Sequence, residues 1–104
     1  IYKRLMTAIE EQTFRLVEED WKEIQDLINQ SYENFDSNLR GFLDVTPQEY
    51  RICLLLKMGV SPTNIAHFVN LTKEAITASR RRMYTKAFSK KGKPADWDKI
   101  INSL

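Results

Sequence analysis

Three helix-start signals follow one another in close succession: Thr46-Pro47-Gln48-Glu49, Ser61-Pro62 and Thr72-Lys73. Thr or Ser at an N-cap satisfies a free backbone N–H, Pro suits the first helical position, and Glu three residues after Thr46 completes a capping box. Gly59, just ahead of the second signal, is a favoured residue for ending a helix. A chain punctuated this way has room only for short helices. The spacing predicts one helix from Pro47 to Gly59, one of seven or eight residues ending at Val69, a turn at Leu71-Thr72, and a third helix from Lys73 to about Phe88. No stretch alternates with the period of a strand, and nothing repeats. The expected fold class is all-α.

Upstream, no Gly or Pro occurs before Gly41. Leu5, Ile9, Leu16, Trp21, Ile24, Leu27, Ile28 and Tyr32 fall mostly three to five residues apart, which is helical spacing. The phase slips between Ile9 and Trp21, so two helices are expected: one over 2–15, and one from Asp20 as N-cap to about 33. A single coiled-coil helix is the competing reading, with fewer than three clean heptads behind it. Asn34-Phe35-Asp36-Ser37 breaks the pattern, and a short helix should follow to Phe42. Downstream, Gly92-Lys93-Pro94 closes the basic segment and Asp96 is expected to cap a last short helix to about Ser103. The chain thus divides into a helical linker or bracing segment, 1–44, and a second unit, 45–104.

Several functional classes lack their signatures. There is no Gly-rich phosphate loop, no His-x-x-x-His pair, no cysteine cluster and no nucleophile elbow. No catalytic residue, metal ligand or cofactor is therefore assigned, and the chain is not expected to be an enzyme. The lone His67 reads as a surface or boundary residue. The lone Cys53, between Ile52 and Leu54, reads as a small buried hydrophobe. Glu18-Glu19-Asp20 fits a helix start, where carboxylates interact favourably with the helix dipole. The apolar runs are far shorter than a membrane span and no signal-peptide pattern is present. Because the chain begins at Ile1, it is expected to be a piece of a longer protein; the piece itself is expected in the cytoplasm, whether or not its parent is membrane-anchored.

The net charge of +2 conceals a division. Residues 1–44 carry five Lys/Arg and ten Asp/Glu, a net −5; residues 45–104 carry eleven and four, a net +7. Between Arg80 and Lys93 stand seven basic residues and no acidic one. Such segregation points to an anionic partner for the C-terminal half, against the plain alternative of a solvated basic face. In the 73–88 helix, Ile76, Met83 and Ala87 form one stripe, with Ser79 and Arg80 between them. It should pack on Ile65, Ala66 and Val69 of one preceding helix and on Ile52, Leu55 and Leu56 of the other. That leaves Lys73, Glu74, Thr77, Ala78, Arg81 and Tyr84 facing outward. Thr and Ala are small enough to let a backbone sink into a DNA major groove, and the Arg/Lys-rich end can reach phosphates.

These residues resemble the LuxR/GerE-type helix-turn-helix of bacterial response regulators, a three- to four-helix bundle placed in the winged-helix superfamily. Val45-Thr46-Pro47-Gln48-Glu49 resembles the family's opening Leu-Thr-x-x-Glu, and Gly59-Val60-Ser61 with Ile65-Ala66 resembles its Gly-x-Ser followed by Ile-Ala. Ile76 stands where the recognition helix has a buried Val, with Met83 seven residues later and Lys86 after that. Sigma-factor region 4 has a similar layout. By position, the resemblance implies that Thr77, Ala78 and Arg81 read base edges. It implies that backbone donors near Ser61, Thr63 and Asn64 face phosphate. Thr77 and Ser79 depart from the Lys and His common at their positions. The flanks, Asp20-Trp21, Tyr32, Phe35, Leu39 and the run from Arg80 to Asp98, resemble the C-terminal output domain of tetratricopeptide-repeat sensor-regulators. In that reading Trp21 and Phe35 are core residues.

The expected function is sequence-specific binding of double-stranded DNA as the output domain of a bacterial transcriptional regulator. Arg80, Arg82, Lys86, Lys90 and Lys91 would neutralise phosphates, and Lys73 would stand at the groove entrance. Expected partners are duplex DNA, a second copy in a homodimer, the upstream sensor portion of the same polypeptide, and RNA polymerase. The N-terminal helix and the last helix are both candidate dimer surfaces. The competing expectation is a degenerate helix-turn-helix that serves as a protein–protein interaction module.

Overall fold

The middle of the chain folds as its caps dictate. Helix α4 (Pro47–Lys57) starts on a reciprocal capping box: Glu49 N–H donates to Thr46 Oγ1 at 3.1 Å and Thr46 N–H donates to Glu49 Oε1 at 2.9 Å. Helix α5 (Pro62–Phe68) starts with Asn64 N–H donating to Ser61 Oγ at 3.3 Å. Helix α6 (Lys73–Phe88) starts with Ala75 N–H donating to Thr72 Oγ1 at 3.0 Å. The computed structural model describes residues 1–104 and is entirely helical. The remaining elements are α1 (Tyr2–Glu11), α2 (Glu18–Ser31), α3 (Phe35–Phe42) and α7 (Pro94–Ser103).

Two starts differ from expectation in the same way. Asp20 is not the N-cap of α2 but its third residue; the cap position is Val17, whose N–H donates to Asp20 Oδ2 at 2.8 Å. Asp96 likewise sits three residues inside α7 and accepts from Lys93 N–H at 2.8 Å. Each carboxylate makes the back-reaching half of a capping box from a cap residue that cannot make the forward half. All three acidic residues Glu18, Glu19 and Asp20 stand in the first turn of α2, where the dipole favours them.

The helix ends explain why α1 is shorter than the expected 2–15. Gln12 adopts a left-handed conformation (φ 55°), and Thr13 N–H donates back to Ala8 O at 2.9 Å. The same closure recurs at Gly59 (φ 85°), with Val60 N–H to Leu55 O at 3.0 Å. It recurs again at Asn70 (φ 58°), with Leu71 N–H to Ala66 O at 2.9 Å. These are Schellman closures, in which carbonyls left over by the last turn are satisfied. Only the one at Gly59 uses the residue type that advertises it.

One hydrophobic core of 21 buried residues runs from Leu5 to Ile101, so no break in packing separates 1–44 from 45–104. Trp21 and Phe35 are core residues, with Phe35 and Trp97 among the fully buried side chains. The Cys53 thiol lies 3.7 Å from Met83 Sδ at the centre of this core. Burial pushes its pKa up to about 12. The indole Nε1 of Trp97, buried without a proper acceptor, lies toward the same sulfur and offsets part of that rise.

The C-terminal end of α7 is held by a side chain from α4. Lys57 Nζ donates to the carbonyls of Asn102 at 3.1 Å, Ile101 at 3.3 Å and Leu104 at 3.4 Å, and lies 4.1 Å from the centre of the Tyr32 ring. Burial lowers its pKa, while the carbonyls and the ring favour the charged form. Lys57→Met keeps the aliphatic stem and removes the cap. It should lower stability by about 1 kcal/mol, read as a lower urea midpoint at unchanged slope.

Candidate nucleic-acid interface

Helix α6 is fixed on its inner side and free on its outer side. Ile76 and Met83 are fully buried and Ser79 is nearly so, which places one stripe of α6 against the core. α5 and α7 are its main neighbours, and the C-terminal end of α3 reaches it through Phe42, whose ring lies 5.4 Å from that of Phe88. Each turn of α6 is therefore braced, and its attitude is set by three other helices.

Arg80 departs from expectation. Its guanidinium is not turned to solvent but forms a two-pronged pair with Asp98 of α7. Nε donates to Oδ1 at 2.9 Å and a terminal nitrogen donates to Oδ2. The Arg80 side chain is only 10% exposed, so it has no reach to a phosphate. The cause is angular. Arg80 lies four residues after Ile76 and three before Met83, on the buried stripe itself. An arginine there needs a carboxylate, which α7 supplies.

Tyr84 also departs. It is half-buried, with its ring 4.8 Å from that of Phe88 and packed over Gly92. A Cβ at Gly92 would overlap the Tyr84 ring, so this close approach depends on glycine there. The outer face is instead a line of four exposed residues at spacings of four, three and four: Glu74, Ala78, Arg81 and Thr85. Thr85 was not singled out by sequence reasoning, although continuing the helical spacing of Ala78 and Arg81 by four residues reaches it. Thr77 is half-buried at the edge of this line.

The remaining expected contacts distribute unevenly. Lys73, Arg82, Lys90 and Lys91 are exposed, and none takes part in an ion pair. Lys86 is exposed but leans back to α4, with Nζ 3.4 Å from Glu49 Oε2, a long contact that a phosphate could replace. At α5, Ser61 and Thr63 are exposed. The Asn64 amide is already bonded to Ser61 Oγ, and its side chain borders a groove with Phe14 and His67, so Asn64 is not brought into the same surface. The exposed His67 stacks on the half-buried Phe14 with ring centres 4.6 Å apart.

No family model, curated protein or solved structure matches the chain.

The other surfaces offer less chemistry. A cleft of about 420 Å³ lies between the α1–α2 connection, the N-terminal end of α4 and the turn that closes α5; none of its lining residues belongs to α6. Its one cation, Arg51, is engaged: the guanidinium lies 4.6 Å from the centre of the Trp21 ring and donates to Glu18 at 2.8 and 2.9 Å. No three His, Cys, Asp or Glu side chains are grouped to hold a metal ion, and no helix is long and apolar enough to cross a membrane. Tyr50 donates to Asp36 Oδ1 at 2.6 Å, and burial and that carboxylate raise its pKa, which marks a structural bond between α4 and α3.

Proposed function

We propose that this chain binds double-stranded DNA sequence-specifically, as the output domain of a bacterial transcriptional regulator, with α4, α5 and α6 forming a helix-turn-helix of the LuxR/GerE kind and α7 its fourth helix. The observation that carries the reading is the outer face of α6. Its small Ala78 and Thr77 precede Arg81 and Arg82, and the basic run continues through Lys86 to Lys90 and Lys91; of these five cations only Lys86 meets a carboxylate, in a long contact to Glu49. A helix braced on its inner side by three others, with small residues forward and exposed cations behind, suits insertion into a major groove flanked by phosphates.

In this arrangement Arg81 and Ala78 stand where base edges would lie, with Thr77 and Thr85 beside them. Arg82, Lys86, Lys90 and Lys91 would meet phosphates along one strand, and Lys73 would meet the backbone at the entrance. Arg80 has no part in contact; it positions α6 on α7. Glu74, at the leading end, would accept from a cytosine amino group or repel phosphate, and so adds discrimination. RNA polymerase, an upstream sensor portion and a cytoplasmic setting belong to the same proposal.

The size of residue 78 gives a test that leaves charge untouched. Ala78→Trp should reduce duplex affinity at least ~10-fold while the unfolding free energy stays within ~0.5 kcal/mol of the parent's, because the position is exposed. Equal affinity for both proteins in a fluorescence anisotropy titration would remove α6 from the groove. Specificity is tested by passing a random duplex pool over the immobilised protein and sequencing what is retained. Convergence on a motif is expected. A retained pool with the composition of the input would contradict a sequence-specific function.

A further inference from the structure

Most of the large apolar side chains left exposed lie on the N-terminal side of the molecule. Five are exposed in all, and Tyr2 (56%), Met6 (40%) and Tyr32 (41%) are three of them. Tyr2 and Tyr32 line one shallow groove of about 300 Å³, with Leu27 and Met58 between them. Tyr2, Met6 and Ile9 follow one another along α1 at spacings of four and three, so they form a stripe beside the buried face made by Leu5 and Ala8. A stripe of this kind on a short peripheral helix calls for a covering surface.

The charges bordering the stripe identify what covers it. Lys3 and Glu10 are both exposed and seven residues apart, which brings them to the same angular position two turns away from each other. One is positive at the start of α1 and the other negative near its end. If a second α1 lies antiparallel across the first about a two-fold axis near Met6 and Thr7, Lys3 of each copy faces Glu10 of the other. Met6 and Ile9 of the two stripes then meet between these pairs, with Tyr2 just outside them. The helix dipoles oppose in the same arrangement, which is favourable. A two-fold contact requires a surface complementary to itself, and a stripe with opposite charges at its two ends has that property.

We infer that the exposed face of α1, with Met6 at its centre, Tyr2 at its N-terminal edge and Lys3 and Glu10 flanking it, is a self-association surface that pairs two copies of this chain antiparallel. The adjoining groove would receive apolar side chains of the second copy. The groove end of this surface lies away from α6. Its groove includes Lys57 and Met58 at the C-terminal end of α4, whereas Lys86 reaches Glu49 at the N-terminal end of that helix, roughly 13 Å away along its axis. Of the two candidate dimer surfaces, this assigns α1 and not α7, whose Trp97 and Ile101 are consumed by the core.

The test needs no nucleic acid, so its failure is separate from any failure of the DNA reading. Sedimentation equilibrium of the 104-residue chain at ~100 µM, where a contact of micromolar strength is saturated, should give the mass of a dimer. Met6→Asp should weaken association at least ~10-fold with an unchanged thermal midpoint at dilutions where both proteins are monomeric, since Met6 is exposed. Lys3→Glu and Glu10→Lys should each weaken it several-fold, and the double variant K3E/E10K should restore it, because the two substitutions exchange the partners of each pair. A monomer at ~100 µM would overturn the proposal. So would a dimer indifferent to Met6→Asp, which would place the contact elsewhere, or a double variant no better than the singles, which would remove the antiparallel register.

Discussion

Arg80→Ala should destabilise the chain by about 2–4 kcal/mol, somewhat below the cost of breaking a fully buried ion pair because Asp98 keeps 27% of its side-chain surface in water. The loss has two parts. The bidentate pair between α6 and α7 disappears, and the Asp98 carboxylate is left facing the core without a donor. In a chain of this length that corresponds to a fall in melting temperature of roughly 8–25 °C. Asp98→Ala should be similarly damaging, since it strands a guanidinium that is only 10% exposed. The double variant R80M/D98L, which replaces both charges with apolar groups of similar length, should recover most of the loss. Urea unfolding of the parent, the two alanine variants and R80A/D98A closes a double-mutant cycle that measures the coupling directly. If Arg80→Ala unfolds within ~0.5 kcal/mol of the parent, the pair is not what fixes α6 on α7.

The second large effect is on binding, and it separates two neighbouring arginines. Arg81 lies in the exposed line with Ala78, and Arg82 lies to its side; both are free of ion pairs. Arg81→Ala should weaken binding to the preferred duplex roughly five- to a hundredfold and relax the preference at one base position. Arg82→Ala should weaken all duplexes alike and reduce the salt dependence by about one phosphate contact. Neither should alter stability beyond ~0.5 kcal/mol. Competition titrations against matched and mismatched duplexes distinguish these outcomes. Identical behaviour of the two variants would contradict the division into base reading and phosphate contact.

Legibility followed the cap residues. Thr46, Ser61 and Thr72 fixed three helix starts to the residue, because an oxygen side chain at the N-cap does a job few other residues can do. Where a hydrophobic or basic residue held the cap position, at Val17 and Lys93, the acidic residue three places later drew attention in its stead. The end of α1 was illegible because Gln12 takes the left-handed conformation that glycine would have announced. The hydrophobic periodicity of Ile76 and Met83 located the buried stripe of α6, and it already contained the position of Arg80. Charge alone assigned that residue to the surface; the Asp98 that turns it inward is eighteen residues away on another helix, beyond the reach of local pattern. Tyr84 was misplaced for a similar reason, since Gly92 clears the space into which its ring packs. The same spacing that marked Ala78 and Arg81 extends to Thr85, which completes the exposed line.

Fluorescence anisotropy of a labelled duplex, titrated with the 104-residue chain between 50 and 200 mM salt, tests the central claim most directly. With Arg82, Lys86, Lys90 and Lys91 on phosphates, the logarithm of the binding constant should fall linearly with the logarithm of salt concentration, with a slope of about −3.6 per protomer. Addition of Lys73 would steepen it by about one. Absence of binding at 50 mM salt, or a slope near zero, would contradict the assignment of α6 and its basic extension to DNA.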